Sequence, residues 1–276
     1  MNEIILRILK FVRFIHVPRV VKYVLFRCIK GRNIPVQSKI GISEISITLD
    51  IGNFIEYWIF MDSLYEKDWV WLVQKYVEDK IFLNVGANIG AYDFSLARVA
   101  KHIYAFEPED ENCKKLTQNI KQSHIDNITV IKKAVGLTDN KKVKLFVHDK
   151  EKGWHSMVVN YKYGYKMVST VKLDTFVKEK RIKNIGLIKI DVEGLEYDVL
   201  KGALVVLDKL RPAVVVEFNR PVTVLSEHSL IEIFDLMKEH RYRGFRKING
   251  QMVLLTKDII DKIYNENILF LPKEKK

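Results

Sequence analysis

Short apolar runs and segments of helical spacing alternate through most of this chain. The apolar runs predict five buried strands, at residues 81–85, 103–106, 128–131, 185–190 and 213–218. Helical patterns separate most of these strands, for example at residues 91–100 and 112–122. This alternation is typical of a parallel sheet with helices on both faces. The hydrophobic pattern therefore predicts an α/β fold.

Near the end of the chain the pattern changes. Asn249 and Gly250 stand between apolar residues in FRKINGQMVLL, and this dipeptide is a strong signal for a β-hairpin. It predicts that the last two strands pair antiparallel. The sheet should therefore be mostly parallel, with an antiparallel C-terminal hairpin.

Two regions lie outside the strand–helix alternation. Residues 1–64 contain two helical patterns separated by Pro18 and an alternating strand pattern at 43–51. We predict that they form an appendage to a main domain at 65–276. Between residues 136 and 172, two strand-like pieces flank the glycine- and aromatic-rich loop EKGWHSMVVNYKYGY. This insertion is expected to form a lid over the strand ends.

Composition narrows the class of protein. A chain of 276 residues with 48% hydrophobic and 29% charged residues can form one large core with a short appendage. Its two cysteines, Cys28 and Cys113, are too few for a disulfide framework or a zinc site, which favours a reducing compartment. No apolar run approaches the roughly 18 residues of a membrane span. We therefore expect a cytoplasmic protein.

The net charge of +12 is concentrated at the start of the chain. Residues 1–32 carry eight arginines or lysines and one acid, a net charge of +7, interleaved with Ile, Leu, Phe and Val. Because the charges interrupt the apolar residues, a cleaved signal peptide is not expected. Such helices can lie peripherally on an anionic membrane surface, or they can pack their apolar faces on the body of the protein. Both arrangements stay open, and they are compatible.

The segment IFLNVGANIGAYDFS, residues 81–95, holds the most informative turn. Gly86 and Gly90 bracket this turn between a strand and a helix, where the missing Cβ allows unusual backbone angles. Asn88 replaces the middle glycine of the dinucleotide fingerprint, which argues against a nicotinamide enzyme. Glu107 follows 21 residues after Gly86, at the end of the next strand, where an acid can accept hydrogen bonds from a ribose. Together these residues predict a nucleotide-like ligand.

Further acidic residues are predicted at the same edge of the sheet. The segment LIKIDVEG, residues 187–194, places Asp191 and Glu193 after a buried strand, and Glu217 lies in VVVEFN on the next strand. In open parallel sheets, ligands bind outside these strand ends. Alternatively, Asp191 or Glu193 caps the following helix, which would be compatible with a functional role.

Three motifs in this order, NVGANIG, AFEPED and LIKIDVEGLEYDVLKG, resemble the FkbM family of S-adenosylmethionine-dependent methyltransferases over about residues 65–272. The resemblance implies a Rossmann-like class I methyltransferase sheet, S-adenosylmethionine as cofactor, and methylation of a hydroxyl on a sugar, glycan or glycolipid-like acceptor. Class I methyltransferases usually carry an acid where this chain has Asn84, so a charge facing the cofactor's methionine amino group is absent. The predicted cofactor contacts are Asn84, Gly86, Ala87, Asn88, Gly90, Glu107 and Asp191.

The resemblance also indicates which residues would perform the chemistry. An alcohol acceptor must lose its proton during methyl transfer, so a base near the methyl group helps. Asp191 is best placed for this role, with Glu193 and Glu217 as further carboxylates on the same rim, and His155 in the lid-like loop is an alternative base. The three carboxylates could gather a divalent cation, but the sequence does not require one, and we predict no metal site.

Two other functions stay open. The basic composition would suit an RNA methyltransferase, but the charge lies in an apolar-rich segment and no RNA-binding module is recognisable. Nucleic acid is therefore not the expected partner. Alternatively, the chain is a cofactor-binding or membrane-associated protein that has lost catalysis. The presence of Asn84 in place of the usual acid would be consistent with that loss.

Overall fold

The computed structural model describes residues 2–15, 17–147, 155–160 and 162–273. Its strands are β1 (Pro35–Ile40), β2 (Ile45–Asp50), β3 (Ile81–Val85), β4 (His102–Phe106), β5 (Ile128–Ile131), β6 (Ala134–Val135), β7 (Lys142–Phe146), β8 (Tyr165–Val171), β9 (Ile185–Ile190), β10 (Ala213–Asn219), β11 (Tyr242–Ile248), β12 (Gln251–Leu254) and β13 (Asn265–Pro272). Its helices are α1 (Asn2–Phe14), α2 (Arg19–Ile29), α3 (Phe54–Asp62), α4 (Lys67–Val77), α5 (Ala91–Leu96), α6 (Asp110–Gln122), α7 (Leu173–Glu179), α8 (Glu196–Lys201), α9 (Leu204–Lys209), α10 (Arg220–Thr223), α11 (Leu230–Glu239) and α12 (Lys257–Ile260).

Eight of these described strands form the central sheet, in the spatial order β12–β11–β13–β10–β9–β3–β4–β5. Strands β3, β4, β5, β9 and β10 run parallel, whereas β13 lies antiparallel between β10 and β11. The chain leaves β3 toward β4 and β5 on one side and returns to β9 on the other. In open parallel sheets, such a reversal of strand order opens a crevice at the carboxyl ends. The predicted fold class, a mostly parallel class I methyltransferase sheet, is confirmed.

The central strands are buried on both faces of the sheet. Phe82 of β3 and Leu187 of β9 join an apolar cluster on one face, while Leu83 and Ile188 join a second cluster on the other. Successive residues of a strand point to opposite faces, so a strand covered by helices on both sides needs a nearly continuous apolar run. This is why the five parallel strands were predictable, and all five are present.

The hairpin at Asn249 and Gly250 is confirmed. Strands β11 and β12 pair antiparallel around it, and both turn residues have positive φ angles of 47° and 83°, which two-residue hairpins favour. The prediction that these are the last two strands is wrong. Strand β13 follows them in sequence and inserts between β10 and β11, a long-range pairing that no local signal encodes.

Two elements near the N-terminus were not predicted. Strand β1 begins at Pro35, in a segment for which no strand was predicted, and it pairs antiparallel with the predicted strand β2. Helix α3, FIEYWIFMD, buries side chains around almost its whole circumference, including Tyr57, Ile59 and Phe60. A helix that is apolar all round has no amphipathic period, so the pattern does not reveal it.

The two N-terminal helices, predicted to divide at Pro18, are present and pack against α3. Their inward side chains share one apolar cluster with Phe82 of the central sheet: Leu9, Val12, Phe26 and Ile29. The domain boundary at residue 64 stays a prediction. Within the described part of the chain, none of the helices is long and apolar enough to cross a membrane.

The insertion at 136–172 contributes the antiparallel pair β7 and β8, so its two strand-like pieces are strands. The loop between them falls partly on residues 148–154 and 161, which lie outside the described residues. Its described part contacts the loop that follows β9, because the Ser156 hydroxyl donates a hydrogen bond of 2.6 Å to the Glu193 carbonyl. The role of this insertion as a lid stays a prediction.

Candidate active site

A cavity of about 470 Å³ lies at the carboxyl ends of β3, β4, β9 and β10, where the strand order reverses. Parallel strands end at one edge of the sheet, so they bring together residues that are far apart in sequence. Every predicted site residue except Gly90 lines this cavity: Asn84, Gly86, Ala87, Asn88, Glu107, His155, Asp191, Glu193 and Glu217. Their individual roles in binding and catalysis stay predictions.

The turn after β3 brings two strand ends into close contact. Gly86 has a φ angle of +86°, and a Cβ at this position would lie 1.7 Å from the Asp191 carbonyl oxygen. Only glycine allows this approach of β3 and β9. The amides of Gly86 and Ala87 both donate to the Phe106 carbonyl, at 3.0 and 2.9 Å, so they bind the neighbouring strand.

Gly90 has a structural environment. Its φ angle is +87°, and a Cβ here would lie 2.4 Å from Leu116 and 3.0 Å from the ring of Phe94. The glycine therefore lets α5 begin close to α6, away from the cavity lining. Its predicted contact with the cofactor has no support in this geometry.

Glu107 is held rigidly at the end of β4. Its side chain is buried, and its two carboxylate oxygens accept hydrogen bonds from the Asn88 amide at 2.7 Å and the Glu109 amide at 2.8 Å. Burial raises the pKa of Glu107 to about 7, although these hydrogen bonds act in the opposite direction. Each oxygen keeps a second lone pair, so the carboxylate can still accept bonds from hydroxyl groups in the cavity.

Asn84 is buried near the end of β3 beside an acid that the sequence analysis missed. Its Nδ2 donates to Asp93 Oδ1 at 3.0 Å, while among the described residues its Oδ1 has no hydrogen-bond partner. Asp93 is fully buried, and burial raises its pKa to about 7. Position 84 carries no acid in this chain, but the neighbouring residue Asp93 on α5 places a carboxyl group beside it. The sequence could have indicated Asp93, because it is an acid inside the otherwise uncharged helical segment AYDFSL.

Asp191, Glu193 and Glu217 converge on the other side of the cavity. Each offers a carboxylate oxygen, and these oxygens all lie within 4.8 Å of one another. A divalent cation could bridge carboxylate oxygens at this spacing. The prediction that the protein has no metal site is untested and stays a prediction. A positive charge is already present, because Lys189 Nζ donates to Asp191 Oδ2 at 2.6 Å.

Lys189 was missed by the sequence analysis, although it is the only charged residue inside the strand run IGLIKI. Its side chain is 4% exposed, and its ammonium group lies 4.8 Å from the centre of the Tyr92 ring. Burial lowers the pKa of Lys189, but the carboxylates of Asp191, Glu66 and Glu217 outweigh that effect and leave the pKa raised. The lysine is therefore a permanent cation at the base of the acidic cluster.

The other two carboxyl groups of the cluster favour their protonated forms. Burial, followed by the charges of Asp191 and Glu196, raises the pKa of Glu193 to about 8. Burial, followed by the charges of Asp191 and Glu193, raises the pKa of Glu217 well above its usual range. Asn219 Nδ2 donates to Glu193 at 3.2 Å, whereas Glu217 Oε2 is buried with no partner among the described residues.

Helix capping does not explain the acidic residues. No side chain caps α8, and the loop amides of Val192 and Gly194 donate to Glu196, at 3.2 and 3.1 Å. The described hydrogen bonds of Asp191 and Glu193 side chains come from Lys189 and Asn219 instead. These two carboxyl groups are therefore available to the cavity.

Tyr65 joins the acidic side of the cavity from the segment between α3 and α4. Burial and the charges of Glu66, Asp191, Glu217 and Glu193 raise its pKa well above the usual value, so the hydroxyl stays protonated. Tyr65 lies in no recognisable motif, which is why sequence reasoning missed it.

A second cavity of about 850 Å³ adjoins the first, and both are lined by Tyr65 and Asn265. Two tryptophans, Trp58 and Trp69, also line it. Several buried polar atoms around it have no hydrogen-bond partner among the described residues, including Trp58 Nε1 and Asn267 Oδ1. Buried donors and acceptors of this kind are costly unless a ligand or water satisfies them.

The family profile "Methyltransferase FkbM domain" matches residues 84–244, which is more than half of the chain. Hexuronic acid methyltransferase AglP of Haloferax volcanii is 28% identical over 164 residues, covering 58% of this chain and 66% of the relative. Methyltransferase 1 of Beauveria bassiana is 25% identical over 170 residues, covering 54% of this chain and 66% of the relative. The chain thus spans just under two thirds of the length of these curated relatives.

Solved structures with a similar fold include the methyltransferase FkbM of Methylobacillus flagellatus KT. This protein is 16% identical, with a TM-score of 0.44, and the match covers 70% of this chain and 43% of that chain.

Proposed function

Since this chain belongs to the FkbM methyltransferase family, we propose that it transfers the methyl group of S-adenosylmethionine to a hydroxyl of a sugar-containing acceptor. The observation that carries the proposal is that the 470 Å³ cavity has two chemically different sides. Asn84, Asn88 and Glu107 form a side that suits a nucleoside. Asp191 and Lys189 form a side that suits removal of a proton from an alcohol.

The cofactor side fits S-adenosylmethionine through two acceptors. Asn84 Oδ1 is buried and without a partner among the described residues, so it can accept a hydrogen bond from the methionine ammonium group. The fixed carboxylate of Glu107 can accept bonds from the ribose hydroxyls. When bound, the cofactor supplies an electrophilic methyl group on a positively charged sulfur.

On the opposite side, Asp191 is proposed to take the proton of the acceptor hydroxyl as the methyl group bonds to its oxygen. Lys189 orients Asp191 through the 2.6 Å hydrogen bond from its ammonium group. Glu193 and Glu217, which favour their protonated forms, can donate hydrogen bonds to other acceptor oxygens. His155 lines the same cavity and completes the polar wall on the side of the insertion.

The second cavity is proposed to hold the rest of the acceptor. Trp69 offers an aromatic surface on which the apolar face of a sugar ring can pack. Trp58 Nε1 and Asn267 Oδ1 offer one donor and one acceptor, and sugar hydroxyls satisfy both kinds of group. The relative named a hexuronic acid methyltransferase supports a sugar acceptor as well.

The test is a transfer assay with purified full-length chain and S-adenosylmethionine that carries a radiolabelled methyl group. Glycan, glycolipid and total RNA fractions serve as acceptors, and the label is followed before and after mild alkali. Label in the glycan or glycolipid fraction that resists alkali is the expected result, because a methyl ether survives treatment that hydrolyses a methyl ester. Label in RNA alone would favour the alternative enzyme, and cofactor binding without any transfer would favour an inactive protein.

A further inference from the structure

Helix α1 exposes a row of large apolar side chains. Ile4, Ile8 and Phe11 follow one another at intervals of four and three residues, the spacing of a single helical face, and the exposed Ile15 follows just after the helix ends. Phe11 is 65% exposed and Ile4 is 66% exposed. The inward face of the same helix is different, because Leu9 and Val12 are buried in the main apolar cluster. The exposed row is therefore additional to the contacts that hold the helix in place.

Helix α2 repeats this arrangement. Its inward side chains Phe26 and Ile29 are buried, whereas its outward side chains include Val20, Val21, Tyr23 and Val24. Val24 is 56% exposed. Both helices pack on α3 through their inward faces, so both exposed apolar rows face away from the body of the protein. Contiguous exposed apolar surface on a soluble fold marks an interaction site more often than it occurs by chance.

The charges around these rows are almost all positive. The first 32 residues contain eight basic residues and one acid. Some basic side chains serve the fold, since Lys22 pairs with Asp62 at 2.8 Å and Arg19 lies over the ring of Trp58. Arg27 is exposed beside the apolar row of α2, and Lys10 is exposed on the flank of α1. A partner must therefore tolerate aliphatic side chains and attract positive charge over the same area.

We propose that α1 and α2 lie flat on an anionic phospholipid surface. Ile8, Phe11 and Val24 would enter the boundary between headgroups and acyl chains, while Lys10 and Arg27 contact the lipid phosphates. Charge complementarity selects this occupant, because a bilayer presents a continuous apolar layer under a layer of negative charge. The helices have 13 and 11 residues, which suits binding in the plane of the interface.

Sedimentation of the full chain with lipid vesicles tests the proposal. One vesicle preparation contains equal parts of phosphatidylglycerol and phosphatidylcholine, and the other contains phosphatidylcholine alone. The protein should sediment with the first preparation at low salt and bind the second much more weakly. Raising the salt concentration should release it from the anionic vesicles, because counterions screen exposed charges.

Two variants separate the apolar contribution from the electrostatic one. Phe11→Ser combined with Val24→Ser should weaken binding to anionic vesicles at least about tenfold, because it removes the apolar side chains that are buried in lipid. Lys10→Glu combined with Arg27→Glu should weaken it by about fivefold or more per position. The matched control combines Leu137→Ser with Val205→Ser, two exposed apolar residues elsewhere on the molecule, and it should bind like the parent. All four substituted positions in the serine variants are exposed, so thermal melting should show folded proteins.

Two results would overturn the proposal. One is a parent protein that stays in the supernatant with anionic vesicles at low salt. The other is unchanged vesicle binding by the Phe11→Ser, Val24→Ser variant. If the parent fails to bind vesicles and sediments as a dimer that this variant dissociates, then the surface belongs to a second copy of the chain. None of these outcomes depends on methyl transfer.

Discussion

The turn after β3 and the turn after β9 both place acidic residues at the carboxyl edge of the sheet, but they treat those residues differently. On the β3 side, Glu107 accepts two backbone amides, and the Gly86 amide is bonded to β4. On the β9 side, Asp191 is neutralised by one lysine, while Glu193 and Glu217 are crowded together with raised pKa values. Both oxygens of Glu107 thus accept backbone amides, whereas Glu217 Oε2 has no hydrogen-bond partner among the described residues.

This difference indicates a division of labour. A carboxylate fixed by backbone hydrogen bonds can present the same geometry to a ligand without rearranging. Carboxyl groups that repel each other in a buried cluster cost stability, but their protonation is easily changed, which suits proton transfer. Substitutions on the two sides should therefore have separable effects on turnover, folding and cofactor affinity.

The largest effect is expected at Asp191. The Asp191→Asn variant keeps the shape of the side chain but cannot accept a proton, so turnover should fall by roughly 10²–10⁴-fold. Cofactor affinity measured by calorimetry should stay within several-fold of the parent. Single-turnover rates at saturating cofactor are the decisive measurement, and rates near the parental value would remove the catalytic assignment.

Gly86 joins the two turns, so its substitution should disturb both sides at once. A Cβ in Gly86→Ala would overlap the Asp191 carbonyl and occupy a backbone region with φ of +86°. The free energy of unfolding should fall by about 2–5 kcal/mol, measured by urea denaturation. Gly136→Ala is the matched control, because nothing lies within 4 Å of its added Cβ, and it should change stability by less than about 1 kcal/mol.

Glu107 should affect cofactor affinity more than turnover. Glu107→Ala removes a charged acceptor for the ribose hydroxyls, so the binding of S-adenosylhomocysteine should weaken by about 2–4 kcal/mol in calorimetry. Turnover at saturating cofactor should change far less than in Asp191→Asn. Unchanged affinity in a folded Glu107→Ala protein would place the ribose elsewhere.

The smallest effect is expected in the pH dependence of stability. The pKa of Glu193 is raised to about 8 in the folded protein, from its usual value of 4.5. Between these values the folded chain retains a proton that the unfolded chain has released, so stability should fall as pH rises through this window. Glu193→Gln should reduce that fall by at least about 1.4 kcal/mol, the free energy that corresponds to one pKa unit.

Urea denaturation at pH 5 and pH 8 measures this difference. Glu179→Gln, at an exposed position at the end of α7, is the control and should lose as much stability as the parent between the two pH values. An identical loss in Glu193→Gln and the parent would show that Glu193 is not the group that titrates.

The strands that could be predicted are those whose burial on both faces requires a continuous apolar run in the local sequence. Strand β9 is buried at all six positions, and its apolar run can be recognised without knowing its neighbours. Helix α3 is buried as thoroughly, yet it was missed, since a helix without a polar face has no period to detect. Strand β13 was not predicted, because its position depends on pairing with β10 and β11, which are distant along the chain.

The sequence by itself determined the parallel strands, the glycine turn and the acidic residues at the strand ends, because each depends on local spacing and backbone angles. Only the tertiary structure decided that Gly90 serves packing, that Asp93 stands beside Asn84, and that Lys189 neutralises Asp191. It also decided which apolar side chains of α1 and α2 are buried and which are exposed. The reason is physical: burial, charge pairing and pKa depend on atoms brought together by folding, and a local pattern does not contain those distances.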